Sequence, residues 1–234
     1  YTQVAMLTVE IAILKVLQEK GIYSEVNAGL SLGEYGALVA SEVLSVHDAL
    51  ELVVKRGAFM QEAVPTGGAM TAVMGLSNDV IEKVCSEAEG IVSVANYNCP
   101  GQTVITGEVE AVNKAAEKLK EAGAKRCIPL KVCGPFHSKM LEEAGKNLAQ
   151  ELEKVKVEEI KTPYITNVTA DYVTDKNQVK DLLERQISSS VRWQQSVERM
   201  VKDGVDTFIE IGPKKTLTGF LRKIAPEAKG YNVE

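Results

Sequence analysis

Residues 26–41 read VNAGLSLGEYGALVAS, which sets Ser31 between Gly29 and Gly33, after a short apolar run and before a helical one. Glycine two positions to each side of a serine, at a strand-to-helix corner, is the pattern of a nucleophile elbow. Such a turn is sharp enough to strain the serine backbone, and side chains at both flanking positions are expected to collide with the neighbouring strand and helix. Leu32 follows at the helix N-terminus, where its backbone N–H suits a developing oxyanion. The pattern is short, and an ordinary structural corner carrying a serine reads the same way.

A serine hydroxyl needs a base to take its proton, and the chain holds two histidines. His47 sits in the segment SVHD, 45–48, which reads as a capping box and gives it a plain role at a surface helix start. His137 lies in VCGPFHSKML between a strand and a helix, on a loop where α/β proteins place their sites. It reads either as a solvated loop histidine or as the partner of Ser31. Arg56, in LVVKRGAFMQ, has largely apolar neighbours. On a helix it faces solvent by default; turned into a cleft, its fork can hold a substrate carboxylate through two parallel hydrogen bonds.

The 234 residues suffice for a well-buried core in one domain or two closely joined ones. A hydrophobic share of 45% and a charged share of 25% are those of an ordinary globular protein. The net charge of −5 gives no global basic field for nucleic acid or an anionic membrane. No apolar run reaches bilayer-spanning length and no signal-peptide pattern opens the chain. Cys85, Cys99, Cys127 and Cys133 form no C-x-x-C pair and no zinc-like spacing, so they read as reduced core thiols of a cytosolic protein without a structural metal.

Val4, Leu7, Ile11 and Leu14 fall at helical spacing, so the chain opens on an amphipathic helix over about 2–20. Strand–helix alternation to residue 64 favours a parallel α/β sheet. After VPTGG the rhythm changes to strand, helix, a hairpin around CPG, a strong helix and a last strand. That is the βαββαβ order of a ferredoxin-like unit. The expected division is an α/β-hydrolase-like domain at 1–64 and 131–234, with a ferredoxin-like insertion at 65–130.

GLSLGEYGALVAS, KRGAFMQEAVPTGGAM, NYNCPGQTVITG, GPFHSKM, RQISSSVRW and IEIGPKKTLTGFL occur in an order that closely resembles the malonyl-CoA:acyl carrier protein transacylases of fatty acid synthesis. Acyltransferase domains of polyketide synthases are similar. The resemblance covers nearly the whole chain, and its fold agrees with the element order above. It implies that Ser31 is the acylated nucleophile, His137 its base and Arg56 the clamp on the malonyl carboxylate. Gln186 matches the residue whose backbone carbonyl orients the histidine in place of a triad aspartate. Asn98 lies where the family lines the pocket, and Phe136 resembles a bulky residue that disfavours α-branched acyl groups. The implied partners are malonyl-CoA and acyl carrier protein, with no cofactor, no nucleic acid and no membrane.

Two departures accompany the resemblance. Leu30 stands where the family usually has a histidine. The family's opening strand with its G-Q-G-x-Q segment, a source of one oxyanion donor, is not among these residues, so the chain is expected to start inside the family's domain. Lys214, Lys215, Arg222 and Lys223 read either as a basic face for an acidic carrier protein or as an ordinary solvated helix end. Two rival readings remain at this level. A serine thioesterase or esterase would use the elbow and a histidine but would want an acid between them, and Asp48 and Asp79 are the aspartates available there. The other rival is an inactive fragment that serves as a scaffold or carrier-protein binder.

Overall fold

A computed structural model describes residues 2–132 and 134–234; Tyr1 and Cys133, the latter among the thiols expected in the core, lie outside them. The chain opens on α1 (Thr2–Glu19), passes through β1 (Asn27–Ala28) and enters α2 (Gly33–Ala40) and α3 (Val46–Ala63). Leu7 and Ile11 of α1 are buried against α2 and α3, with Val4 and Leu14 packed at the edge of the same core. Ser45 caps α3 by accepting the Asp48 N–H at 3.0 Å, as the SVHD segment suggested.

Next come β2 (Gly68–Met74), α4 (Asn78–Ser86), β3 (Val92–Cys99), β4 (Gln102–Glu108), α5 (Val109–Glu121) and β5 (Arg126–Pro129). Their strands form an antiparallel sheet in the order β3-β4-β2-β5, which is ferredoxin-like. The β3–β4 hairpin turns through Pro100 and Gly101, and Gly101 takes a φ of +73° that a side chain would resist. One face of this sheet carries its own core, in which Val73, Ile81, Ile105, Val112 and Leu119 are fully buried.

The remaining elements are α6 (Glu142–Leu152), β6 (Tyr164–Ile165), β7 (Tyr172–Val173), α7 (Val179–Gln186), α8 (Trp193–Lys202), β8 (Thr207–Ile211), α9 (Thr216–Ile224) and β9 (Lys229–Val233). With the first three helices they make the α/β-hydrolase-like part of the molecule. Its sheet differs from a single parallel one. β1 and β6 pair in parallel, as do β8 and β9, but the two pairs belong to separate sheets. β7 was not expected, and it runs antiparallel to β6 because the link over 166–171 is too short for a crossover.

Candidate active site

The elbow residue Ser31 has a φ of +54°, in the left-handed region that costs an ordinary residue about 1–2 kcal/mol. Side chains hold it there from both sides. The Ser31 N–H donates to Asn167 Oδ1 at 2.6 Å, and its carbonyl accepts from Gln186 Nε2 at 2.9 Å. Asn167 also donates from Nδ2 to the Gly29 carbonyl at 2.6 Å, tying the strand end to the turn.

The two flanking glycines differ. A Cβ on Gly29 would lie 1.9 Å from the Gly33 carbonyl, so this glycine is obligatory. A Cβ on Gly33 would meet nothing within 4 Å, which corrects the expectation that both positions are crowded. The first turn of α2 carries the Leu32 N–H, which donates to no backbone acceptor among the described residues. Leu30, where the resemblance drawn from the sequence leads one to expect a histidine, packs into the apolar cluster around Trp193 and Leu221.

His137 is buried at 4% exposure, so the solvated-loop reading does not apply. Its φ of +59° turns the ring inward, with Nε2 2.8 Å from Ser31 Oγ and Nδ1 2.9 Å from the Gln186 carbonyl. A carbonyl only accepts, so Nδ1 carries the proton and Nε2 is left to accept the serine hydroxyl. Burial and the nearby Arg56 charge push the imidazole down to about 4, which keeps it neutral. The loop before His137 is seated by Gly68, where a Cβ would come within 2.3 Å of the Pro135 ring. Phe136 packs against both the main core and the face of the four-stranded sheet that α4 and α5 leave uncovered.

Arg56 is 1% exposed and therefore not a solvated helix residue. Nη2 donates to Ser31 Oγ at 3.0 Å and to Gln186 Oε1 at 3.2 Å, while Nη1 donates to Gln3 Oε1 at 2.6 Å. The guanidinium carbon lies 5.7 Å from the centre of the Tyr35 ring. Burial lowers its pKa, yet a guanidinium keeps its charge under any ordinary condition.

Ser31, His137, Arg56 and Gln186 thus meet at one place, with Leu32 beside them. Asn98 is buried on β3 at 8% exposure and makes no side-chain hydrogen bond to the group. His47 is 78% exposed at the start of α3, near Asp48 and Glu51. Asp48 serves as part of that cap and Asp79 lies in the first turn of α4, so neither orients His137. Lys214, Lys215, Arg222 and Lys223 are exposed around the start and end of α9.

Three members of the group escaped the sequence reading: Gln3, Glu34 and Asn167. Gln3 and Glu34 each precede a buried leucine by four residues, Leu7 and Leu38, so both stand on a buried helical stripe. A polar residue on such a stripe is a legible signal. Asn167 follows a two-residue strand, and nothing local distinguishes it from any turn asparagine.

Residues 1–233 match the acyl transferase domain family. The malonyl CoA-acyl carrier protein transacylase of Bacillus subtilis is 46% identical over 226 residues, which cover 95% of this chain and 71% of the relative. The crystal structure of MCAT from Streptococcus pneumoniae superposes with a TM-score of 0.97 at 48% identity, covering 100% of this chain and 77% of that one. A malonyl-transacylase solved in complex with its type II PKS acyl-carrier protein gives a TM-score of 0.96 at 41% identity, covering 99% and 76%. A match along almost the whole chain, joined to an elbow serine in contact with a buried imidazole, makes this protein a member of the acyl transferase domain family.

Proposed function

We infer that the chain transfers a malonyl group from malonyl-CoA to the pantetheine thiol of an acyl carrier protein, through a malonyl ester on Ser31. The observation that carries this reading is the meeting of Ser31 Oγ with His137 Nε2 at 2.8 Å and with Arg56 Nη2 at 3.0 Å. A nucleophile and base alone suit any acyl transfer; a buried cation touching the nucleophile selects an acyl group with its own negative end.

In the first half-reaction His137 Nε2 takes the hydroxyl proton and Ser31 Oγ attacks the thioester carbonyl. The oxyanion of the tetrahedral intermediate accepts the Leu32 N–H, and coenzyme A leaves as its thiol with the proton from His137. In the second, His137 takes the proton of the carrier's thiol, the sulfur attacks the malonyl ester, and Ser31 recovers its hydrogen. The Gln186 carbonyl holds the ring in the tautomer both halves require. Arg56 pairs with the free carboxylate, so an acetyl group in the same place leaves the guanidinium without a direct anionic partner. Phe136 and Asn98 are assigned to the walls of the acyl pocket, Phe136 as the one that crowds an α-methyl branch.

Residues 1–64 and 131–234 act as the acyltransferase domain and 65–130 as the insertion. The similarity to a transacylase solved with its carrier protein supports a carrier protein as partner. Free thiols on Cys85, Cys99 and Cys127 support a cytoplasmic location, and no helix among the described residues is long and apolar enough to cross a membrane.

Intact mass after mixing with malonyl-CoA tests the reading. A single malonyl adduct, absent from Ser31→Ala and discharged by carrier protein, is expected. Rapid release of free malonate would instead indicate a thioesterase, and no adduct would indicate a scaffold.

A further inference from the structure

Glu34 is fully buried on α2, and the acyl-transfer mechanism makes no use of it. Its Oε2 accepts Gln186 Nε2 at 2.7 Å and the Asn167 N–H at 3.1 Å. Gln186 passes the connection on, because its Oε1 accepts Arg56 Nη2 at 3.2 Å. One amide therefore bridges a buried acid and a buried base. Among the described residues no carboxylate reaches Arg56 directly, and Glu34 is the acid whose charge it feels. The other carboxyl oxygen, Oε1, is buried without a partner at hydrogen-bond geometry, and the Thr166 hydroxyl is the further polar group beside this carboxyl.

Where no other anion reaches Arg56, the guanidinium and Glu34 balance each other. A substrate carboxylate on Arg56 adds a second negative charge to a closed, poorly solvated space, which is costly unless one charge is removed. We propose that Glu34 is the proton-linked counter-charge of the Arg56 pocket: ionised while Arg56 has no other anion, it takes a proton from solvent when the acyl carboxylate engages Arg56. The substrate carboxylate stays ionised, Oε1, the oxygen not occupied by Gln186 and Asn167, receives the proton, and no covalent bond to substrate changes.

The groups facing Glu34 leave it as the one that titrates. Tyr35 on its own helix and Tyr164 on β6 have hydroxyls pushed up by burial, so both stay neutral. Arg56 on α3 keeps its charge, and His137, whose imidazole is pushed down to about 4, is already neutral. Thr166, Asn167 and Gln186 do not titrate. Burial raises the Glu34 carboxyl to about 7, within reach of solvent pH.

The proposal rests on the malonyl-transfer reading, and its test separates the two. At about pH 8, proton uptake is followed with an indicator dye as malonyl-CoA loads the enzyme, while mass spectrometry counts malonyl-serine. The unmodified chain is expected to take up more protons per adduct than Glu34→Gln, by up to one. Equal uptake by the two overturns the proposal. Where Glu34→Gln fails to fold or to load, infrared difference spectra of the unmodified enzyme decide. Loading should bring in a protonated-carboxyl band that shifts in D2O, unlike the ester band, and its absence overturns the proposal. No adduct on the unmodified chain overturns the transfer reading and the proposal with it.

Discussion

Arg56 Nη2 donates to Ser31 Oγ at 3.0 Å, so a fully buried cation rests on the oxygen proposed as the nucleophile. Truncating one partner of a buried charge pair costs about 2–5 kcal/mol. Arg56→Ala is therefore expected to lower kcat/KM for malonyl-CoA by roughly 30- to 5000-fold. Acetyl-CoA, lacking a carboxylate, should lose much less. Parallel kinetics with the two thioesters check this, and an equal loss on both would remove Arg56 as the selectivity element.

Ser31 keeps its φ of +54° against a local preference that glycine does not share. Ser31→Gly and Ser31→Ala should both abolish the acyl adduct. The glycine variant should nevertheless be the more stable of the two by about 1–2 kcal/mol, as a few degrees in Tm. Thermal denaturation of the pair, with mass spectrometry for the adduct, gives both readings at once.

The elbow is one-sided. Gly29→Ala puts a methyl 1.9 Å from the Gly33 carbonyl and should cost about 3 kcal/mol or more, through overpacking next to a strained turn. Gly33→Ala meets nothing within 4 Å and adds a better helix former to the start of α2. It should be neutral or stabilising by about 0.5–1 kcal/mol. Urea denaturation of the two variants checks the contrast.

His137 stays neutral down to about pH 4, so the acid limb of acyl-enzyme formation should fall near there and not near the 6.5 of a free imidazole. Rapid-quench loading rates across that range test it. For stability the sign differs between two buried groups. Between about 4 and 6.5 only the unfolded chain protonates the histidine, so this group adds stability as pH rises. Between 4.5 and about 7 the folded chain alone keeps the Glu34 proton, so that group removes stability as pH rises. Each effect is roughly 3 kcal/mol, and they largely offset. Glu34→Gln should unmask a rise in unfolding free energy from pH 4.5 to 6.5.

Lys214, Lys215, Arg222 and Lys223 stand exposed around α9. Reversing their charge should raise KM for carrier protein, most at low salt, and leave loading from malonyl-CoA unchanged. A carrier-protein rate that does not move would return these residues to an ordinary solvated helix end.

Much of this site was readable from residue order because its parts are local. The elbow glycines, the SVHD cap, the βαββαβ rhythm and the helical stripe of α1 are all set by neighbours within a turn or two. The hub formed by Glu34, Gln186 and Asn167 was not, since it joins residues 19 to 152 positions apart. Gly33 misled for the opposite reason. Its place in the motif is symmetric with Gly29, but the space around it is set by how α2 leaves the turn. β7 and β9 also went unread; with two and five residues, they owe their pairing to the strands beside them.

The ring of His137 leans on a neutral carbonyl where a triad would supply a carboxylate. Such a partner fixes direction but lends little help to an imidazolium, so the chain owns a reluctant proton acceptor. Reluctance sorts incoming nucleophiles by acidity: a thiol gives up its proton near 8.5, whereas water holds on to about 15.7. Ser31 offsets that handicap through placement, because Asn167 and Gln186 hold its backbone so that Oγ already lies 2.8 Å from Nε2, whereas a stray water has no such fixed contact. On the proposed mechanism, the geometry that loads the ester thus also protects it from solvent until a sulfur arrives.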